Sequence, residues 1–376
     1  MSEKELPVIG PIETAEDYKL QSEINDMRQH ANKIIQGIKA LNQHDANRAI
    51  WELFQNAVDL SDNSCIEVKI SDDSLEFSHN GVPFDAMTLD CLFKQVSSKT
   101  LEEKKETYDD KDPVGQYGTG FMTSHVFGKE LIVDGGIAKG NGYIPLQDFT
   151  IDRRTDNWRE LAKSIMKLKD QVASLLAGNG EPAPLPYPKT RFQYKFANGQ
   201  NRAAAQKAID SLELILPYVM TFNPKLSHVK VTYLDGKVSV YEKNEAYRHG
   251  PVMVSPVVVD GSIKEICYIT TEDNKTTIVL PMDKDLKAKA FDAELPRLFL
   301  YYPLIGTENL GCNFIFHSRQ FQPTEPRNAL HLKSEYDSNK KEELQNQLLL
   351  ENASGRIFGF LRDELSKVSD RIHLAT

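Results

Sequence analysis

A chain of 376 residues, 26% of them charged and 40% hydrophobic, has the makeup of an ordinary water-exposed protein of two or three domains. Its net charge of −9 weighs against a dominant nucleic-acid surface, and no apolar run approaches the ~20 residues of a membrane helix. Four well-separated cysteines (Cys65, Cys91, Cys267, Cys312) read as buried thiols of a reducing compartment, and "MSEKELPVIG" lacks a basic start leading into an apolar core, so a cytoplasmic protein is expected.

Residues 1–25 are polar and read as an N-terminal arm. Gln29 to Leu41 carries Ile34, Ile35, Ile38 and Leu41 at helical spacing. A second helix is expected from the capping candidate Asp45 to about Leu60. The strands "CIEVKI" and "SLEFS" follow, joined by the turn "SDD". "HNGVPF" is a loop, and residues 85–96 read as helix. The charge-dense stretch 97–113 has no apolar face and is expected to be a lid or loop. "VGQYGTGFMTSHVF" passes from a glycine-rich loop into a helix, and "ELIVDG" reads as a strand. Residues 153–176 are helical and charged, "GNGEPAPLPYP" is a connection, and "TRFQYKF" alternates as a strand. The pattern changes near residue 200: a helix over about 202–219 precedes a run of strands, and a helical segment closes the chain. The expected domains are thus 26–200, 201–335 and 336–376.

Three short stretches carry chemistry. In "WELFQNAVDL", Glu52, Asn56 and Asp59 share one helix face over two turns. A solvated face would read the same way. In "FSHNGVPF", Gly81 permits a tight turn or a close backbone approach, next to His79 and Asn80. In "GQYGTGF", Gly115, Gly118 and Gly120 precede a helix, where backbone N–H groups can cradle an anion. This last stretch has neither the order of a dinucleotide-binding fingerprint nor the Lys-Ser/Thr ending of a P-loop. Each alone is weak; their order and separation together are specific.

Taken together they resemble the GHKL ATPase superfamily, whose members carry a helix with E-x-x-x-N, a D-x-G loop and a G-x-x-G-x-G-F loop. The Gln-aromatic-Gly form is similar to heat-shock-chaperone and sacsin-type members, as is "SSKT" (Ser97 to Thr100). The resemblance implies an α+β protein: a Bergerat-type α/β sandwich, with helices on one face of a mixed sheet, followed by a transducer-type mixed α/β middle domain. It implies ATP as ligand, magnesium, slow hydrolysis and a nucleotide-gated conformational cycle. By chemistry, Asn56 offers a side-chain oxygen to magnesium and Glu52 can orient or deprotonate the attacking water. Asp59 would support the pocket, and Lys99 would add positive charge. Gly115, Gln116, Tyr117, Gly118, Thr119, Gly120 and Phe121 would form the phosphate loop. Thr190 resembles the threonine that helps hold adenine on a late strand. "YYPLIGTENLGCNFIFHSRQFQPTEPRNAL" looks like the end of the transducer-type domain, with Arg327 or Arg319 the candidate for the γ-phosphate.

His79 stands where relatives place Asp. A neutral imidazole could accept from the adenine amino group, relax base preference, or serve structure alone, with Asn80 as a substitute. The competing readings are a DNA-handling MutL- or MORC-like ATPase, a nucleotide-gated binding module with little turnover, and a histidine kinase. A homodimer, a client protein and further C-terminal domains of a longer chain are compatible with the resemblance. A membrane is not expected as a partner, and nucleic acid is disfavoured by the acidic balance.

Overall fold

The computed structural model describes residues 12–94, 120–178, 180–324, 327–332 and 340–374. The expected lid over 97–113 lies outside the described residues, as do Lys99 and Gly115 to Thr119. The first helix, α1 (Ala15–Ala40), starts well before the expected Gln29. A capping box sets its start: Thr14 Oγ1 accepts from Asp17 N–H at 3.1 Å, and Asp17 Oδ2 accepts from Thr14 N–H at 2.8 Å. Much of the expected polar arm is therefore helix, and Ile24 is already in the core.

Asp45 does not cap α2 (Ala46–Asp59) through its side chain. Its carboxylate accepts from Asn42 N–H at 2.9 Å instead and closes a 3₁₀ turn before the helix. The pairs Ala49/Ile50, Leu53/Phe54 and Ala57/Val58 recur at helical spacing, and all six are buried.

The strands β1 (Ser64–Ile70) and β2 (Ser74–His79), the helices α3 (Ala86–Lys94) and α4 (Gly120–Thr123), the strands β3 (Glu130–Lys139) and β4 (Gly142–Asp152), and the helix α5 (Trp158–Ala177) come next. Strands β5 (Ala183–Pro184) and β6 (Thr190–Lys195) complete a sheet in the order β1-β2-β6-β3-β4-β5. Its register explains the core. Val68, Phe77, Phe192, Val133 and Phe149 are successive cross-strand partners, so five buried side chains line up on one face. Phe54 of α2 meets Phe77 edge-on with ring centroids 5.4 Å apart, and Phe93 of α3 meets Phe149 at 6.2 Å. Each buried phenylalanine contributes roughly 2–3 kcal/mol by leaving water. Glu67 and Lys69 of β1 point the other way and are exposed.

The helix α6 (Gly199–Phe222) is shared between two compact units. The first comprises Met1–Ile209 with Val231–Lys237, and the second comprises Asp210–Lys230 with Val238–Thr376. After α6, β7 (Leu226–Thr232), whose last two residues fall in the first unit, is followed in the second by β8 (Val238–Lys243), β9 (Tyr247–His249), β10 (Val252–Val259), β11 (Ser262–Thr270), β12 (Thr277–Val279), β13 (Leu298–Leu300), β14 (Tyr302–Pro303) and β15 (Ile315–His317). Their spatial order is β14-β13-β15-β12-β11-β10-β8-β7, with β9 beside β10. The pair β13–β15 is parallel, so the strand arrangement is mixed and the protein is α+β. The helix α7 (Lys341–Glu364) carries fully buried Asn346, whose amide accepts from Gln322 N–H at 2.8 Å and donates to the carbonyls of Gln322 and His331.

All four cysteines are free thiols, but only Cys267 is buried; Cys65 and Cys91 are partly exposed, and Cys312 is exposed. Among the described residues, no helix is long and apolar enough to cross a membrane.

Candidate functional site

The site is built at one end of the first unit's sheet, where α2 runs beside α4. Glu52 lies on the half-buried edge of α2, its side chain only 12% exposed. Arg48, one turn earlier, places Nε 3.7 Å from Glu52 Oε1 and holds the carboxylate in place. On its other side is Gly120, the last glycine of "GQYGTGF". A β-carbon built there would sit 2.6 Å from Glu52 Cδ, and closer still to Oε2. The carboxylate thus lies directly against the backbone where the glycine-rich stretch enters α4. Asn56 and Asp59 occupy the following turns of α2 and are exposed.

Phe121 anchors the chain just past Gly120. Its ring packs 5.7 Å from Phe192 and 6.4 Å from His125. The turn is tied further by Ser124 Oγ, which donates to Phe121 O at 2.6 Å and accepts from Tyr194 OH at 2.7 Å.

The second group gathers at the ends of β2 and β6. His79 pairs in register with Thr190 on one side and Ile66 on the other, so the three side chains emerge on the helix-covered face. The His79 ring stacks on Phe192 with centroids 6.1 Å apart, and Phe84 meets the same Phe192 edge-on at 6.3 Å. Phe192 therefore links this group to Phe121. Gly81 N–H donates to His79 Nδ1 at 3.0 Å. A side chain at Gly81 would have its β-carbon 2.8 Å from that nitrogen and 2.9 Å from Leu60 Cβ. Phe84 is pinned to β3, since its N–H donates to Gly136 O and its carbonyl accepts from Ala138 N–H.

Two expectations for base recognition change. With Nδ1 accepting from Gly81, the imidazole proton sits on Nε2, so His79 cannot accept from an adenine amino group. Asn80 is engaged too: its Oδ1 accepts from Cys65 N–H and its Nδ2 donates to Asn63 O, both at 2.9 Å, which clamps the strand end. Thr190 is buried, and its Oγ1 lies 2.8 Å from Tyr187 OH.

Arg319 and Arg327, expected at the γ-phosphate, belong to the second unit, where Arg319 is exposed and Arg327 partly so. Sequence reasoning passed over Arg48, Phe192 and Tyr187. Arg48 carried a signal, an opposite charge four residues before Glu52. Tyr187 carried none, because its contact with Thr190 depends on the path of the Pro-rich connection.

Among the described residues, no group of three His, Cys, Asp or Glu side chains is placed to hold a metal ion. A cation here would rest on Asn56 and on oxygens of a bound ligand.

Burial makes the histidines of both units pH-sensitive elements of stability. Desolvation pushes the pKa of His79, His125 and His317 down to about 4. Arg153 adds repulsion at His125, whose Nδ1–H donates to Gly128 O at 3.1 Å. In the unfolded chain they titrate near 6.5. Stability is therefore full above about pH 6.5 and is lost as pH falls towards 4, because the unfolded state takes up protons first. The urea midpoint is expected to be lower at pH 5 than at pH 7, by roughly 1–2 kcal/mol of stability per buried histidine. A folded His125→Gln variant should show a shallower fall; an unchanged slope would mean that His125 takes up its proton as readily in the folded chain as in the unfolded one.

No protein-family model matches the chain, and no curated protein sequence matches it.

Proposed function

We propose that the first unit is a GHKL-type nucleotide site of Bergerat architecture, and that the protein is an ATPase with a chaperone-like conformational cycle. The observation that carries this reading is the Glu52 carboxylate lying against Gly120. The helix with E-x-x-x-N and the glycine-rich stretch are far apart in sequence, and the reading requires them to meet at this carboxylate. In the proposed site, Glu52 orients the attacking water and takes its proton as the water oxygen bonds to the γ-phosphorus and the bond from that phosphorus to the β,γ-bridging oxygen breaks, releasing ADP. Arg48 keeps the carboxylate aimed. Gly120 leaves room for the Glu52 carboxylate, and the glycines of the preceding stretch in the sequence suit backbone N–H groups that would reach phosphate oxygens. The base lies towards His79, Gly81 and Thr190. Magnesium would be held by the Asn56 side-chain oxygen together with phosphate oxygens; Asn56 is an exposed, neutral oxygen donor one turn from Glu52, which suits a hard cation. When bound, the ion supplies charge neutralisation at the phosphates. The second unit is assigned as the transducer-type domain by the same resemblance.

The test is the thermal stability of the purified chain with ATP, ADP or no nucleotide, with and without magnesium. A ligand at 100 times its Kd stabilises by about 2.7 kcal/mol, which moves a melting temperature visibly. ATP with magnesium is expected to give the largest shift, and Asn56→Ala is expected to lose most of the magnesium-dependent part. No shift with any nucleotide at millimolar concentration would overturn the proposal.

A further inference from the structure

We propose that the second unit holds a small-molecule site of its own, which takes a carboxylate carried on a flat apolar body. Nothing in this depends on the nucleotide site proposed above. The place is a cavity of about 520 Å³ walled by α6, β11 and the segment that follows β12. Ligand pockets usually measure roughly 300–1,000 Å³. Leu214 and Tyr218 stand one turn apart on α6 and share the face that lines it. Ile266, Leu280, Met282 and Phe291 add apolar wall. Tyr218 is buried and meets Phe291 edge-on, with ring centroids 6.2 Å apart. A flat ring packs well on such a pair and leaves water as it does so.

The polar groups decide the charge of the ligand. Lys264, Lys289, Glu265, Asp283 and Asp292 are the charged side chains of the lining. The three carboxylates already have partners. Glu265 Oε1 accepts from Lys284 Nζ and from Tyr247 OH, both at 2.9 Å. Asp283 Oδ1 accepts from the N–H groups of Asp285 and Lys287, and Asp292 Oδ1 from Glu294 N–H. The lysines differ: among the described residues, neither has a carboxylate within ion-pair distance. Half-buried Lys264 places Nζ 5.3 Å over the Tyr218 ring instead. Lys289 is fixed through its backbone, whose N–H donates to Pro281 O at 2.8 Å. Burial lowers the Lys264 pKa, Lys289 lowers it further, and Glu213 and Asp292 offset only part of this. A third cation, Arg297, lies 5.6 Å over the Phe291 ring. It donates to the carbonyls of Asp292 and Leu295, and its buried Nε has no partner. An anion beside Lys264 and Lys289 relieves their mutual repulsion and forms charge-assisted bonds. The surrounding carboxylates would repel a doubly charged phosphate, so a single negative charge fits best.

The experiment follows the methionine methyl signals of the isotope-labelled full chain by NMR while naphthoate, naphthamide or inorganic phosphate is added. Met282 lines the cavity, so its signal, assigned by its loss in Met282→Leu, reports binding at this place. Naphthoate is expected to move that signal saturably below millimolar concentration. Naphthamide has the same body without the charge and should bind about tenfold more weakly. Phosphate has the charge without the body and should leave the signal in place. Lys264→Met keeps the methylene stem and removes the ammonium. It and Lys289→Met are each expected to weaken naphthoate at least fivefold while leaving naphthamide within twofold. Equal affinity for acid and amide would make the cavity merely apolar and overturn the proposal. So would a Met282 signal unmoved by millimolar naphthoate, phosphate binding as tight as naphthoate, or wild-type naphthoate affinity in both lysine variants. If one lysine variant does not fold, the other and the comparison of acid with amide decide.

Discussion

Replacing Glu52 with glutamine is expected to lower ATP hydrolysis by about 10²–10⁴-fold while leaving ATP affinity within a few-fold of wild type. The amide has the size of the carboxylate and keeps the packing against Gly120, but it cannot take a proton from water. Its surroundings make the carboxylate suitable for that task. It is largely withdrawn from solvent, flanked by Arg48 at 3.7 Å, and set against the backbone at Gly120. Since Asn56, the proposed metal ligand, stays in place, binding and turnover should separate: kcat falls and Kd does not. Glu52→Ala should behave alike in turnover. Phosphate release under single-turnover conditions, beside a direct binding titration, measures both quantities. Near-wild-type release in Glu52→Gln would remove Glu52 from the chemistry. Tight ATP binding with no release even in the wild type would favour a nucleotide-gated binding module.

Much of the first unit was legible because its strands alternate. "CIEVKI" and "TRFQYKF" put every second residue on one face, and those residues form the buried rows of the sheet. Helix α2 was legible for the same reason at its own period. The start of α1 was not, because its first turns are polar and the apolar period begins late; the signal lay in the capping residues Thr14 and Asp17. Strand β4 was passed over because "GYIPLQDFTID" is interrupted by Pro145 and by Asp148 at positive φ. At the site, the motif order pointed to Glu52, Gly120, His79 and Thr190. It could not say which nitrogen of His79 carries the proton. That depends on a hydrogen bond from Gly81, two residues away in sequence but bent back by the turn. Nor could composition tell that Cys312 is exposed, since a thiol's burial depends on tertiary packing.

A methyl group at Gly120 is expected to damage catalysis far more than folding. The β-carbon of Gly120→Ala would fall 2.6 Å from Glu52 Cδ, a distance that neither partner can tolerate. Relief is inexpensive for stability, because the obstructing atoms are the far end of a flexible side chain. Glu52 can swing to another rotamer at a cost of about 1 kcal/mol. The same swing carries the carboxylate away from the place proposed for the attacking water, and a displacement of about 1 Å can cost 10²-fold in rate. Gly120→Ala should therefore stay folded, melt within a few degrees of wild type, and hydrolyse ATP at least 10²-fold more slowly. Gly120→Val adds branching against the same wall and should also weaken ATP binding. Pairing the two substitutions tests the contact itself. In Glu52→Ala/Gly120→Ala the clash is gone, so the stability losses should not add, with a coupling of about 0.5–3 kcal/mol in urea titrations. Turnover should be no lower in the double variant than in Glu52→Ala alone, because the methyl group acts only through the carboxylate. Additive losses in both stability and rate would show that Gly120 and Glu52 do not touch in solution, and the site would have to be rebuilt without that contact.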